Sequence, residues 1–214
     1  RFIEEHEAFI DLLRSEGVDV FLVEDLLREH KAALTQIRGQ PNLAYLRDTI
    51  SIMKDGYVRM KMAAKVRKSE PQISEQAVQK LGIPCLLRVG EGALLEGGDF
   101  VYLDEETLMV GAGRRSNQRG VIQLAGAALE NSLTRVVMVP LFPWNVHLDG
   151  ALMIIDEDLA LGHLNSLRKP AIMFQKGQPP ERISLLSWLK KREIKVIDVD
   201  AHERFMRGTN VVCL

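Results

Sequence analysis

The sequence predicts an α/β fold built from a repeated strand–strand–helix–strand unit. Three observations carry that expectation. Short apolar runs and helix-periodic stretches recur in the same order about every 50 to 60 residues, the mark of a repeat architecture, although the copies share little identity. Glycine and turn residues stand between them where such units need punctuation. The composition, 46% hydrophobic and 27% charged over 214 residues, is that of a globular chain able to bury a substantial core.

The elements follow in order. Residues 2–16 space Phe2, Ile3, Phe9, Ile10, Leu12 and Leu13 among acids with helical periodicity, and Gly17 suits the C-cap. Val18 to Val23 reads as a strand, and 25–38 as a second helix stopped by Gly39 and Pro41. Two short strands, 50–53 and 57–62, flank Lys54-Asp55-Gly56, and Asp-Gly is a strong hairpin signal. A helix over 72–81, closed by Gly82, and a strand over 84–89 complete that unit. The next unit places strands at 99–103 and 107–111, a helix at 117–131 and a strand at 136–141. A third places strands at 151–155 and 158–161, a helix at 181–192 and a strand at 196–199. A short helix over 201–206 and a strand over 210–214 follow. By this reading the first unit lacks its opening strand pair, the last stops after one strand, and a start on Arg-Phe-Ile places the natural N-terminus further upstream.

A net charge of −1 gives no bulk electrostatic case for nucleic acid or anionic membrane. No apolar run approaches the roughly 18 residues of a membrane span, and no signal peptide is visible. Two cysteines, Cys85 and Cys213, both in apolar strand-like runs, argue against a disulfide scaffold and place the protein in a reducing, cytoplasmic setting. Gly111-Ala112-Gly113 lacks the third glycine and the acid of a dinucleotide fingerprint. No cofactor is expected.

Four polar clusters can carry chemistry. His147-Leu148-Asp149 places a base and an acid on one face of an extended segment, with Leu148 toward the core; the plain alternative is a surface histidine beside a turn. Leu94-Leu95-Glu96-Gly97-Gly98-Asp99 brackets two glycines with acids, and glycines allow close backbone approach to a ligand; a solvated turn would look the same. Pro41-Asn42-Leu43-Ala44-Tyr45-Leu46-Arg47-Asp48 offers Asp48 to a cation and Arg47 to a carboxylate, unless the two form only a surface ion pair. Gly111-Ala112-Gly113-Arg114-Arg115-Ser116-Asn117 puts two guanidinium groups at a helix start. There they oppose the dipole unless an anion such as a substrate carboxylate is present, and a basic loop is the plain alternative. Each unit offers one such cluster near the same end of its strands. Arranged around an axis they would form a pocket of carboxylates, one histidine and an arginine, suited to a guanidinium amino acid. A metal reading through His147, Asp149 and Glu96 lacks a second well-placed histidine.

Taken in order, PNLAYLRD, LEGGD, VGAGRRSN and HLDGALMIID resemble the guanidine-modifying (pentein) superfamily of arginine deiminases, dimethylarginine dimethylaminohydrolases and amidinotransferases. The resemblance covers nearly the whole chain and implies a five-bladed α/β propeller of ββαβ units around a central site. Residues 1–214 would then be a single catalytic propeller domain, cut short at both ends. It further implies that Asp48, Asp149 and Glu96 hold the substrate guanidinium, that Glu96 also helps protonate the reacting centre, and that His147 is the general acid/base. Arg115 matches the arginine that contacts the substrate carboxylate, and Asn42 and Arg47 are weaker matches. The implied activity is amidine hydrolysis of the arginine deiminase type, L-arginine to citrulline plus ammonia, through a covalent cysteine adduct without a metal. Amidino transfer, methylated-arginine hydrolysis and a non-catalytic guanidino binder are the alternatives. The expected partner is an arginine-like small molecule, not nucleic acid or membrane, and a homodimer is compatible with the sequence.

The chain departs from the family at the nucleophile, which normally lies in a glycine-rich segment near the C-terminus. Cys213 sits in the apolar run Val211 to Leu214, where a thiol is hard to ionise. Cys85 reads as core packing. The nucleophile is therefore expected beyond residue 214.

Overall fold

The computed structural model describes residues 2–211. Three sheets form among them, and each contains the expected unit. In the first sheet β1 (Ile50–Met53) pairs antiparallel with β2 (Gly56–Arg59), and β3 (Cys85–Arg88) returns parallel to β2 after the helix that crosses over, α4 (Glu70–Lys80). Gly56 opens β2 at φ 139°, and a side chain there would run into the Pro84 carbonyl, so the Asp-Gly turn needs its glycine. The second sheet repeats the pattern with β4 (Phe100–Asp104), β5 (Thr107–Ala112), α5 (Gln118–Leu129) and β6 (Arg135–Pro140). The third does so with β7 (Leu152–Asp156), β8 (Leu159–Gly162), α6 (Leu185–Lys191) and β11 (Lys195–Asp198).

The middle sheet organises the core. Leu108, Val110, Val136 and Met138 face one cluster with Val121, Leu124, Ala125 and Ala128 of α5, with Val58 of the first sheet and with Met60 just beyond it. Met109, Val137 and Val139, one residue out of phase, face the other cluster with Leu152, Ala160, Leu185 and Leu189. Period-two alternation thus feeds two cores from one sheet, which is why β5 and β6 read as unbroken apolar runs.

Several expectations are corrected. Val18 to Val23 forms no strand: 18–22 are irregular and α2 (Val23–Leu26) begins at Val23. The segment lies along no sheet edge, so its backbone has no ladder partner, and Phe21 is exposed. The helix predicted over 25–38 is broken. Arg28 folds back onto the Asp25 carbonyl and carboxylate, and the chain turns before α3 (Lys31–Arg38). That break lets Leu27 and Ala33 both bury against Ile73 and Ala77 of α4. The helix predicted over 181–192 begins as a strand, β10 (Glu181–Ile183), and turns helical after Ser184, whose side chain caps α6. Its partner β9 (Ala171–Gln175) was not anticipated, and the β9–β10 hairpin widens the middle sheet to five strands. Cys85 is exposed on the edge strand β3, not packed in the core. The short helix forms as α7 (Ala201–Phe205). Of the strand expected at 210–214, residues 210 and 211 are irregular, and 212–214, with Cys213, lie outside the described residues.

Two glycines of α5 should respond with opposite signs. A side chain at Gly120 would run into the Leu94 carbonyl oxygen, whereas Gly126 has nothing within 4 Å of an added Cβ. Gly126→Ala should raise the unfolding free energy by about 0.5–1 kcal/mol. Gly120→Ala should lower it by about 1–3 kcal/mol. Chemical denaturation of the two variants checks both.

Candidate active site

The site is assembled from loops at the ends of strands. Residues 95–99 carry the first part. Leu95 is fully buried and exchanges two backbone hydrogen bonds of 3.1 Å with Lys61, which pins Glu96 at the edge of the first unit. Gly97 to Asp99 then make a single 3-10 turn. A side chain at Gly97 would strike the Arg47 carbonyl, and one at Gly98 would come 2.5 Å from His147 Nδ1. The glycine pair is therefore required by the two neighbouring motifs.

Glu96 is wholly buried. Its Oε1 accepts from the Ala63 amide at 2.9 Å, and its Oε2 accepts from Arg115 Nη1 at 3.0 Å and lies 3.1 Å from His147 Nε2. Burial alone would raise its pKa, but the bonds to His147 and Ala63 and the charge of Arg115 outweigh it, and the carboxyl is held below its usual range. On the other side of the imidazole, Asp48 Oδ1 lies 3.9 Å from His147 Nδ1. Burial opposes the imidazolium, yet the bond to Glu96 and the charges of Asp99, Asp48 and Asp149 prevail and raise the His147 pKa. The ring therefore favours its acid form.

His147 lies in a bend and Asp149 in a turn, not in the extended segment expected from their spacing. Both reach the same pocket nonetheless, because two bonds fix the loop between them. Leu148 N donates to Asp99 Oδ1 at 3.0 Å, and Asp149 N donates to the Gly98 carbonyl at 3.1 Å. Leu148 points into the core, although the segment is not extended. Burial raises the Asp149 pKa against the charges of His147 and Arg47, with Asp48 adding to the rise.

The other candidates are placed as follows. Arg115 sits on Glu96 and is partly exposed. Arg47 donates to the carbonyls of Gly97 and Phe100, strapping the glycine turn. Asn42 contributes its carbonyl, at 3.2 Å from Arg67 Nη2. Two neighbours, Arg67 and Glu70, escaped the sequence reading, and two more, Asp99 and Ser116, stood in its motifs without an individual role. Arg67, buried, donates to Asp48 at 2.7 Å and to Glu70 at 2.8 Å. Glu70 is buried too, and burial raises its pKa against Arg67, helped by the charges of Asp48 and Glu96. Within KVRKSE the two resemble a surface charge run; only their i,i+3 spacing hinted at a pair. Asp99 and Ser116 lie inside quoted motifs, and the Ser116 hydroxyl donates to Asp99 while accepting from the Glu96 amide.

Asp48, Glu96 and His147 offer ligand atoms within 4.8 Å of one another, close enough to hold a metal ion. The same two carboxylates are however already matched to guanidinium groups, Asp48 to Arg67 and Glu96 to Arg115. Their oxygens accept in a geometry that planar N–H cations satisfy.

The sequence model of arginine deiminase matches residues 30–214. The chain belongs to the arginine deiminase family. Among curated proteins it is similar to N(G),N(G)-dimethylarginine dimethylaminohydrolase of Streptomyces coelicolor, 27% identical over 171 residues, 79% of this chain and 60% of that one. The chain thus spans less than two thirds of that relative. Among solved structures it resembles a mutant DDAH from Pseudomonas aeruginosa complexed with citrulline, at TM-score 0.60 and 16% identity over 85% of this chain and 68% of that one. It also resembles an AgrE mutant in binary complex with L-arginine, at TM-score 0.65 and 18% identity, covering 82% of this chain and 24% of that one. These likenesses support the mixed α/β fold, and the family is one of guanidino hydrolases within the pentein superfamily. No helix of the described residues is long and apolar enough to cross a membrane.

Asp99 offers a test of the site's electrostatics. Burial pushes its pKa up to about 7 from 3.8, against the charge of His147 and the bonds from Ser116 and Leu148. Its folded pKa lies above its unfolded one, so the folded state prefers the protonated acid. Its contribution to stability is complete below pH 4 and is lost as pH rises toward 7. The unfolding free energy of Asp99→Asn minus that of the wild type should therefore climb from pH 4 to pH 7, by up to about 4 kcal/mol. A difference that stays flat, measured by denaturant titration across that range, would contradict the assignment.

Proposed function

We propose that the protein is an amidine hydrolase that acts on L-arginine or a closely related guanidino compound. The observation that carries the reading is the convergence of Asp48, Glu96 and His147, from three separate loops, with their ligand atoms within 4.8 Å, beside Asp149. In this reading Asp48, Asp149 and Glu96 receive the substrate guanidinium. Arg115 leaves Glu96 for the substrate carboxylate, and the substrate's own N–H donors take its place. Asn42 and Arg47 shape the same end of the pocket. Residues 1–214 belong to one catalytic domain, and the three ββαβ units are part of a five-bladed ring in a cytoplasmic enzyme.

The chemistry suits these groups. A guanidinium is a weak electrophile because its charge is delocalised, and carboxylates orient it while keeping it charged. A cysteine thiolate forms a bond to the central carbon. The C–N bond then breaks, and ammonia leaves with a proton donated by His147. Water gives a proton back to His147 as it adds to the carbon. The C–S bond then breaks as the added hydroxyl gives up its proton to solvent, which releases the thiolate and the ureido product. The raised pKa of His147 fits its first task as an acid. Cys85, on an outer strand beside Tyr57 and Arg88, belongs to a different surface. The reading therefore takes the thiolate from a cysteine beyond residue 214.

In the full-length protein, His147→Ala should lower citrulline formation from L-arginine by about a hundredfold or more while the fold is retained; near-normal turnover would remove it from the mechanism. Asp149→Asn should weaken substrate binding by about tenfold, read as a rise in KM or in the calorimetric dissociation constant. The similarity to a dimethylaminohydrolase favours methylated arginine as a second substrate. Parallel assays for ammonia and for dimethylamine release separate the two.

A further inference from the structure

The loop that carries His147 also carries a buried side chain without a bonding partner. Residues 141–149 follow β6 and are anchored at both ends. Leu141 N donates to the Ala112 carbonyl at 2.8 Å, at the root of the loop that bears Arg115. At the other end Leu148 N donates to Asp99 and Asp149 N to the Gly98 carbonyl. Between these anchors the loop is stiffened. Phe142 and Trp144 stack with ring centroids 4.4 Å apart, Lys169 lies over the Phe142 ring while donating to the Leu141 carbonyl, and Asn145 N donates to the Phe142 carbonyl at 2.9 Å. Trp144 and Val146 turn outward, 53% and 49% exposed, and Asn145 between them turns inward, 2% exposed. Neither Oδ1 nor Nδ2 of Asn145 has a hydrogen-bond partner among the described residues.

A buried carboxamide that makes no bond is costly, and the anchored loop gives this one no route to water. A ligand that completes its bonds removes the cost. The neighbourhood indicates which ligand group that is. Asn145 stands two residues before His147, so their backbones are at most about 7 Å apart. His147 serves the nitrogen that leaves the guanidino carbon. An arginine guanidinium brings several N–H donors to that place. The acids can accept only part of them, because Asp48 Oδ2 is taken by Arg67 and Glu96 Oε1 by the Ala63 amide. A neutral acceptor beside His147 adds capacity without adding charge, in a pocket where burial already works against the ionisation of Asp99 and Asp149.

Resting on the guanidino-hydrolase reading above, we propose that Asn145 sets substrate specificity. Its Oδ1 accepts an N–H from the guanidino nitrogen that leaves, so the site prefers an unmethylated guanidinium to one dimethylated at that nitrogen. A dimethylated nitrogen carries no N–H and leaves Oδ1 buried and unpaired. A site built around such a bond rejects an analogue that lacks it far more strongly than an apolar pocket rejects an added methyl. Asn145 thereby ranks L-arginine above its dimethylated form.

The test compares the dissociation constants of L-arginine and asymmetrically dimethylated L-arginine by calorimetry, in full-length protein carrying His147→Ala so that turnover does not intrude. With Asn145 present, L-arginine should bind more tightly by about tenfold or more. Adding Asn145→Leu, a match in shape without the amide, should weaken L-arginine by about tenfold and leave the dimethylated compound within about twofold, so that the preference collapses. Asn145→Ala should do the same. In the otherwise wild-type chain Asn145→Leu should leave the denaturation midpoint unchanged or raise it, since no bond of the fold is lost. No preference at the outset, a preference that survives both Asn145 variants, or a lowered midpoint in Asn145→Leu would each overturn this assignment alone, the last by showing that the amide serves the fold. Binding of neither compound would overturn it together with the guanidino-hydrolase reading.

Discussion

A buried carboxylate with no cation bonded to it among the described residues holds the carboxylate pocket together. Asp99 accepts a hydroxyl from Ser116 and an amide from Leu148, and so joins three loops that are far apart in sequence. Ser116 passes the connection on by accepting the Glu96 amide. Gly111 is part of the same device, because a side chain there would collide with Asp99 Oδ1. Removing a carboxylate from water is expensive, and at Asp99 the cost appears as a pKa near 7. What partly offsets it is the charge of His147 and the hydrogen bonds from Ser116 and Leu148.

The pocket built on that node is a balance of opposite charges at close range. His147 stands between Glu96 and Asp48, and each acid is also matched to an arginine. The imidazole is thereby biased toward its charged form and Glu96 toward its own. The two arginines differ in commitment. Arg67 is buried and held by Asp48, Glu70 and two carbonyls, so it is part of the frame. Arg115 has one acid partner and is partly exposed, so it is the group that can exchange partners.

Much of the fold was legible locally. The Asp-Gly turn, the helix stops and the apolar runs of β5, β6 and β7 are short-range signals, and the three ββαβ units appeared where those signals placed them except at the start of α6. The misreadings share a cause. Val18 to Val23 has strand composition but no neighbouring edge. The apolar run of β9 has an edge waiting on β6, and the Pro170 and Gly177 that bound it were available signals. Ser184 likewise marked the start of α6. Cys85 reads as a core residue because its neighbours are apolar, but β3 lies at a sheet edge.

The site divides along the same line. Sequence by itself determined which residue types stand in the motifs, that two glycines separate Glu96 from Asp99, and where apolar alternation and turn residues place the strands of the middle sheet. Those are consequences of side-chain chemistry and backbone periodicity, which act over a few residues. Only the tertiary structure decided that Arg67 and Glu70 leave an apparent surface run to enter the pocket, that Arg47 straps a turn, and that Asp99 is the buried node. Those outcomes depend on which loops meet in space and how much water they exclude. A carboxylate's pKa and partners are set by that exclusion, and no local pattern encodes it.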